Sequence, residues 1–282
     1  MQAASAAACP GACCVLMKSL LSDLAVLWRM RSLLRVLTRR ELAARFAGSA
    51  GGIVWAWVQP VLTIACYFIV FDLVFAMRLG EHAPAERVGT FLIVGMVGWM
   101  AFAEMTQRAM HSLVDVGGLL QKNPLPPVLF PTRSVLTSAL VYIPLFLLLA
   151  LAYWPQHGGS SALLALPVLV GLQVLLAWML GFLLAMLMAA LRDVAQIVAF
   201  AFSIGVFAAP ILFPLTMFPE RWRWLLWLNP MTPFVLGYQH ILLGGHWPPV
   251  SIWAAVAAGL LLAAWLLDTV LRRSRDQLVD WL

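Results

Sequence analysis

Six runs of apolar residues, each long enough to cross a lipid bilayer as a helix, dominate this chain of 282 residues. A helix needs about 20 apolar residues to traverse the hydrocarbon core. The stretches 53–77, 88–107, 128–153, 162–191, 194–215 and 250–271 meet that length, whereas 19–28 is too short. A soluble fold must give its surface to water. With 63% hydrophobic and 11% charged residues, this chain lacks the polar surface to do so. The expected fold class is an all-α membrane protein with six transmembrane helices.

Charge sets the orientation. Loops rich in Lys and Arg stay on the cytoplasmic side. With the N-terminus inside, that side holds Lys18, the arginines at 29, 31, 35, 39, 40, 45, 108, 133, 192, 272, 273 and 275, and Lys122. The opposite side holds only Arg78, Arg87, Arg221 and Arg223. Both termini are therefore expected in the cytoplasm. The net charge of +6 reads as a topology signal, with no nucleic-acid partner implied.

The stretch 216–249 carries two apolar pieces, WRWLLWL (222–228) and FVLGYQHILL (234–243), broken by Asn229, Pro230 and Pro233. A seventh span there would carry Arg272, Arg273 and Arg275 across the membrane. Two short re-entrant helices between spans five and six fit better. Broken backbone at membrane depth has to be buried in protein or line a wet cavity.

The chain divides into a tail of unassigned role (1–30), an amphipathic interfacial helix (31–50) and the six-span domain (51–282). Arg31, Arg35 and Arg39 recur every fourth residue, with Leu33, Leu34, Val36 and Leu37 on the other side. Such a helix lies in the inner interface. It serves as an anchor on membrane lipids alone, or its polar face also docks a protein. The loop VDVGGLLQKNPLPP (114–127) places one short helical turn at 119–122 between Gly117-Gly118 and stiffening prolines. A protruding turn of this kind suits a lever.

Chemistry-bearing clusters are sparse. Asp72 lies near one end of span one, Glu104 and Arg108 sit four apart on span two and are able to pair, and Arg133 opens span three. Interface anchoring or local ion pairs account for these, or they mark a functional site within the membrane. The histidines at 82, 111, 157, 240 and 246 form no ligand motif, so no metal site is expected. There is neither a G-x-S-x-G elbow nor a Walker-type loop, which argues against catalysis or ATP binding in this chain. Aromatics are abundant: Trp55, Trp57, Tyr67, Phe68 and Phe71 crowd span one, and Trp222, Trp224 and Trp227 crowd the broken segment. They form a belt with packing residues, or a surface on which sugar rings stack and slide. The small residues Ala177, Gly181, Ala185 and Ala189 let another helix approach, within one chain or between two.

Three segments resemble a known family. LTRRELAARFAGSAGGIVWAWVQP (37–60), LRD (191–193) and PILFPLTMFPERWRWLLWLNPMTPFVLGYQHILLG (210–244) are similar to the entry, turn and outer-gate segments of type-2 ABC exporter permeases that move bacterial polysaccharides. Such permeases often carry a basic residue soon after the tyrosine of the outer motif, where this chain has Tyr238-Gln239-His240. The resemblance implies two copies of this chain forming a channel above two cytoplasmic P-loop ATPase subunits. ATP and Mg would bind those partners, leaving no cofactor here. It further implies ATPase contacts through Arg39, Arg40, Glu41, Arg45, Asp115, Leu119, Gln121 and Lys122. The substrate path would run past Trp55, Trp57, Tyr67, Phe68, Phe71, Phe200 and Phe207. The outer gate would be formed by Trp222, Trp224, Trp227, Asn229 and Pro230.

The resulting expectation is a non-enzymatic permease subunit of an inner-membrane exporter of O-antigen or capsule. A same-fold permease for a drug or lipid, a membrane glycosyl or acyl transferase, and an ion-coupled carrier relying on Asp72 or Glu104 are the alternatives.

Overall fold

A computed structural model describes residues 18–74, 88–122, 125–157 and 160–274. The expectations that fall on the remaining positions, among them Arg78, His82, Arg87 and Arg275, lie outside the described residues. Those described form helices and turns, with no strand among them. In chain order the helices are α1 (Lys18–Arg29), α2 (Arg31–Arg45), α3 (Trp55–Phe68), α4 (Val88–His111), α5 (Gly117–Leu120), α6 (Leu129–Tyr153), α7 (Ala165–Ala190), α8 (Val194–Gly205), α9 (Arg223–Trp227), α10 (Thr232–Leu242) and α11 (Val250–Ser274).

Five stretches are long and apolar enough to cross a membrane: Gly52–Val74, Val88–Leu120, Leu129–Tyr153, Ser161–Ala190 and Val250–Ser274. They coincide with five of the six expected spans. The run expected over 194–215 is helical only to Gly205. Its 12 residues rise about 18 Å, short of a hydrocarbon core of about 30 Å. Pro210 and Pro214 lack backbone N–H groups and push their predecessors out of helical geometry. Apolar composition therefore runs on where the helix does not.

α4 is the mast of the bundle. In its most apolar stretch 72% is buried, against 11% for the first span, which leans on the outside of the fold. The small stripe of α7 lies against α4: Ala177 and Ala185 are fully buried, and a Cβ on Gly181 would come within 2.5 Å of the Ala109 methyl. The stripe thus serves packing within one chain. Gly205 brings α8 to α4 in the same way, its Cβ position falling on the edge of the Trp99 ring.

Contacts define two ends. At one, α2 meets the end of α4 and the start of α6 through arginines and carboxylates. At the other, Tyr153 O–H donates to the Thr90 carbonyl (3.2 Å) and Ser160 O–H to the Gly245 carbonyl (2.7 Å). Span one closes with a wide helical turn, Ile69–Val74, that swings Asp72 onto the start of α4. There Asp72 accepts the Gly89 N–H at 2.7 Å, an anion at a helix N-terminus. A Cβ on Gly89 would lie 2.7 Å from that carboxylate, so glycine is required.

α1, in the stretch too short to span, is an amphipathic helix docked on the last span. Asp268 of α11 accepts the Ser19 hydroxyl and the Leu20 N–H (3.3 Å for the latter), and pairs with Arg272 at 2.7 Å. Leu20 and Asp268 are 3% and 2% exposed, so the joint is closed to solvent. α2 ends at Arg45, and Gly48 (φ +78°) turns the chain toward span one.

Candidate functional site

The arginine-rich end is organised around Glu104, two turns from the end of α4. It pairs with Arg45 of α2 and with Arg108 (3.0 Å) one turn along its own helix, as the four-residue spacing predicts. From α6, Tyr142 donates to it at 2.9 Å and Ser138 at 3.4 Å. Alongside, Glu41 of α2 pairs with Arg133 of α6 at 2.9 Å and accepts the Ser134 hydroxyl at 2.9 Å. The side chains of Glu41, Arg45, Glu104 and Arg133 are all less than a quarter exposed. At such burial a carboxylate needs several donors to offset its desolvation, and Glu104 has four. These pairs fasten α2 to the bundle. They border a cleft of about 560 Å³ whose rim includes His111 and Asp115.

The two faces of α2 have separate uses. Arg31, Arg35, Arg39 and Arg40 are exposed, while Glu41 and Arg45 turn inward to the ion pairs. The helical turn after α4 forms at Gly117–Leu120, two residues earlier than expected, and Asp115, Leu119, Gln121 and Lys122 are exposed beside it. Of the eight residues assigned to ATPase contact, six are therefore open and two are engaged within the chain.

The aromatic residues also divide. Trp55, 54% exposed, borders a smaller cavity of about 340 Å³ with Arg45, Glu104 and Tyr142. Trp57 is tied to α6, its indole N–H donating to the Val141 carbonyl at 3.0 Å. Tyr67 and Phe71 stack at 6.4 Å. Phe68 lines an apolar crevice of about 530 Å³ between α3, α4 and α6. Phe200 is 67% exposed on the outward face of α8 with Ile197 and Ile204, and Phe207, in the turn just after α8, is 63% exposed.

Asn229 ties the broken segment to the end of α8. It donates its amide to the carbonyls of Gly205 (3.1 Å) and Ala208 (3.4 Å), which the end of α8 leaves free, and accepts the Met231 N–H at 3.0 Å. Thr232 O–H donates to the Leu226 carbonyl, closing the turn between α9 and α10. Trp222, Trp224, Trp227 and Pro230 stay exposed around this joint. α10 is buried: Tyr238, fully enclosed, donates to Gln173 Oε1 at 2.6 Å, and the Gln173 amide donates to the Gly98 carbonyl at 3.0 Å. Gln239, next to Tyr238, is buried and donates to the Pro210 carbonyl at 2.7 Å. A charge at that position would have no water to solvate it.

The family model described as ABC-2 type transporter matches residues 32–243, from α2 to just past α10. The chain belongs to the ABC-2 type transporter family. Among relatives, an O-antigen export system permease protein, RfbA, of Myxococcus xanthus is 30% identical over 261 residues, covering 90% of this chain and 96% of that protein. A protein of the same name from Klebsiella pneumoniae is 24% identical over 216 residues (76% of this chain, 81% of that one). The polysialic acid transport protein KpsM of Escherichia coli is 22% identical over 199 residues (70% and 75%).

Within this ABC-2 transporter chain, sequence reasoning missed Glu104 as a hub, the Asn229 joint and the Tyr238–Gln173 pair. Glu104 carried a signal, since an acid in an apolar run needs partners. Asn229 carried only a prolyl neighbour.

Proposed function

We propose that this chain is the permease subunit of an ATP-driven exporter that moves a polysaccharide, a lipid-linked O-antigen or a capsule, across a bacterial inner membrane. The observation that carries this reading is the 30% identity across nearly the whole length of the Myxococcus O-antigen export permease. Two copies assemble with two P-loop ATPases. The exposed arginines of α2 and the turn at Asp115–Lys122 face the ATPases, and the ion pairs of Glu41, Arg45, Glu104 and Arg133 carry their motion into the bundle.

In the membrane, α8 and residues 206–211 make the sixth crossing, supported by the approach of Gly205 to Trp99 and then of Ile211 to Gly95, higher on the mast. Both termini then lie in the cytoplasm, in line with the docking of α1 on the end of α11. α9 and α10 dip from the outer face as the gate. The open faces of span one and α8, with Trp55, Phe200 and Phe207, meet the second copy and border the glycan's path.

The test is co-purification from native membranes, followed by ATPase assays in proteoliposomes. A stoichiometric P-loop ATPase stimulated by lipid-linked glycan is expected. Stimulation by phospholipid or drug alone supports the same-fold alternative. A chain without an ATPase partner refutes the proposal.

A further inference from the structure

α1 precedes the region matched by the family model, which begins at residue 32, so its role has to be read from its own surface. Its residues fall into three sectors. Leu20, Val26 and Leu27 pack on the core. Ser22 and Arg29 are exposed and polar. Leu21, Leu24 and Trp28, spaced three and four apart on one side, are 53%, 41% and 73% exposed and apolar. One face is thus held by the protein, a second suits water, and a third suits neither.

Depth and charge identify what covers the third face. Asp268 fixes the first turn of α1 near the end of a membrane-spanning helix, where Arg272 and Arg273 close the apolar run. The stripe therefore starts at the level where acyl chains give way to headgroups. Trp28, at the far end, lies under the Arg31 guanidinium, 5.1 Å from its ring centre. An indole beside an arginine suits the headgroup region, and Arg29, Arg31 and Arg35 are all exposed next to it. We infer that α1 lies on the membrane surface with Leu21, Leu24 and Trp28 in the acyl region and Arg31 on anionic headgroups, and that Asp268 holds it there. This goes beyond the transport reading and does not depend on what is exported.

The test uses the full chain in lipid nanodiscs containing about a third phosphatidylglycerol, an amount that gives the surface a negative potential. Cys9, Cys13, Cys14 and Cys66 are replaced by alanine, and nitroxide labels are placed at Leu24→Cys or Ser22→Cys. Both positions are exposed, so labelling leaves the core intact. At position 24, relaxation by oxygen, which concentrates in lipid, is expected to exceed relaxation by a water-soluble nickel chelate several-fold. The order reverses at position 22. Equal chelate access at both positions places the stripe in water and overturns the inference. A position 24 shielded from both reagents places it against protein and overturns it equally. In phosphatidylcholine alone the label at 24 is expected to become shallower, and an unchanged depth overturns the assignment of Arg31 to anionic headgroups.

Discussion

The side-chain amide of Asn229 donates to the carbonyl of Gly205, 3.1 Å away and 24 residues earlier in the chain. The same amide reaches Ala208, and the side-chain oxygen holds Met231. One residue thus satisfies carbonyls at the end of α8 and braces the turn that leads into α10. Asn229→Ala frees both carbonyls in a poorly hydrated place, at a cost of about 1–3 kcal/mol. Asn229→Asp keeps the shape but cannot donate, and should behave as badly. Thermal unfolding in detergent and surface-glycan blots check this: both variants melt lower and export less.

Glu104 holds a largely enclosed cation and an exposed one. Arg45 is 14% exposed, and leaving it without its carboxylate costs about 3–5 kcal/mol. Arg108 is 43% exposed, and its pair is worth at most about 1 kcal/mol. Glu104→Gln should therefore lower membrane accumulation sharply, while Arg108→Gln leaves it nearly unchanged. Equal effects in quantitative blots would contradict this ordering.

At Gly205 the neighbouring ring leaves no room for a methyl group. Gly205→Ala should cost about 1–3 kcal/mol by overpacking. The clashing atoms belong to the outer edge of the Trp99 indole. Adding Trp99→Phe removes them and should recover part of the melting temperature, whereas Trp99→Phe alone lowers it.

Tyr238 and Gln173 form a fully buried pair. Tyr238→Phe orphans an amide oxygen, at about 1–3 kcal/mol. With Gln173→Leu added, the orphaned amide oxygen is gone and only the donor to the Gly98 carbonyl is lost, so the double variant should be more stable than the sum of the single losses predicts. Melting curves of the four proteins measure that coupling.

Exposure separates tryptophans of the proposed path from those of the frame. Trp55→Ala and Trp227→Ala remove side chains that are 54% and 43% exposed, and should lower export without loss of assembled protein. Trp57→Ala breaks a bond to Val141 and should reduce assembly itself. Normal surface glycan with alanine at 55 and 227 would remove the aromatic path.

Periodic and local features were legible in the sequence. Five spans, the amphipathic α2, the Glu104–Arg108 pair and the small-residue stripe follow from spacing along one helix. Distant partners were not. Nothing near Asn229 points to Gly205, and nothing near Ser19 points to Asp268, because a single hydrogen bond leaves no periodic trace. The length of α8 was misjudged for a related reason: leucine and phenylalanine satisfy lipid whether or not the backbone is helical, and only Pro210 and Pro214 marked the stop. Among the site residues, Glu41 and Arg45 share a helix with exposed arginines, and their inward turn depends on Glu104 and Arg133 elsewhere in the chain.

The joint between Leu20 and Asp268 also sets an order of events. Its two halves are 248 residues apart, and a ribosome adding about 5–20 residues per second needs roughly 12–50 s to cover that distance. Until then α1 lacks the partner for its first turn. Its docking can occur only after the last span has been made. A chain cut short before Asp268 would lack the carboxylate that holds the first turn of α1.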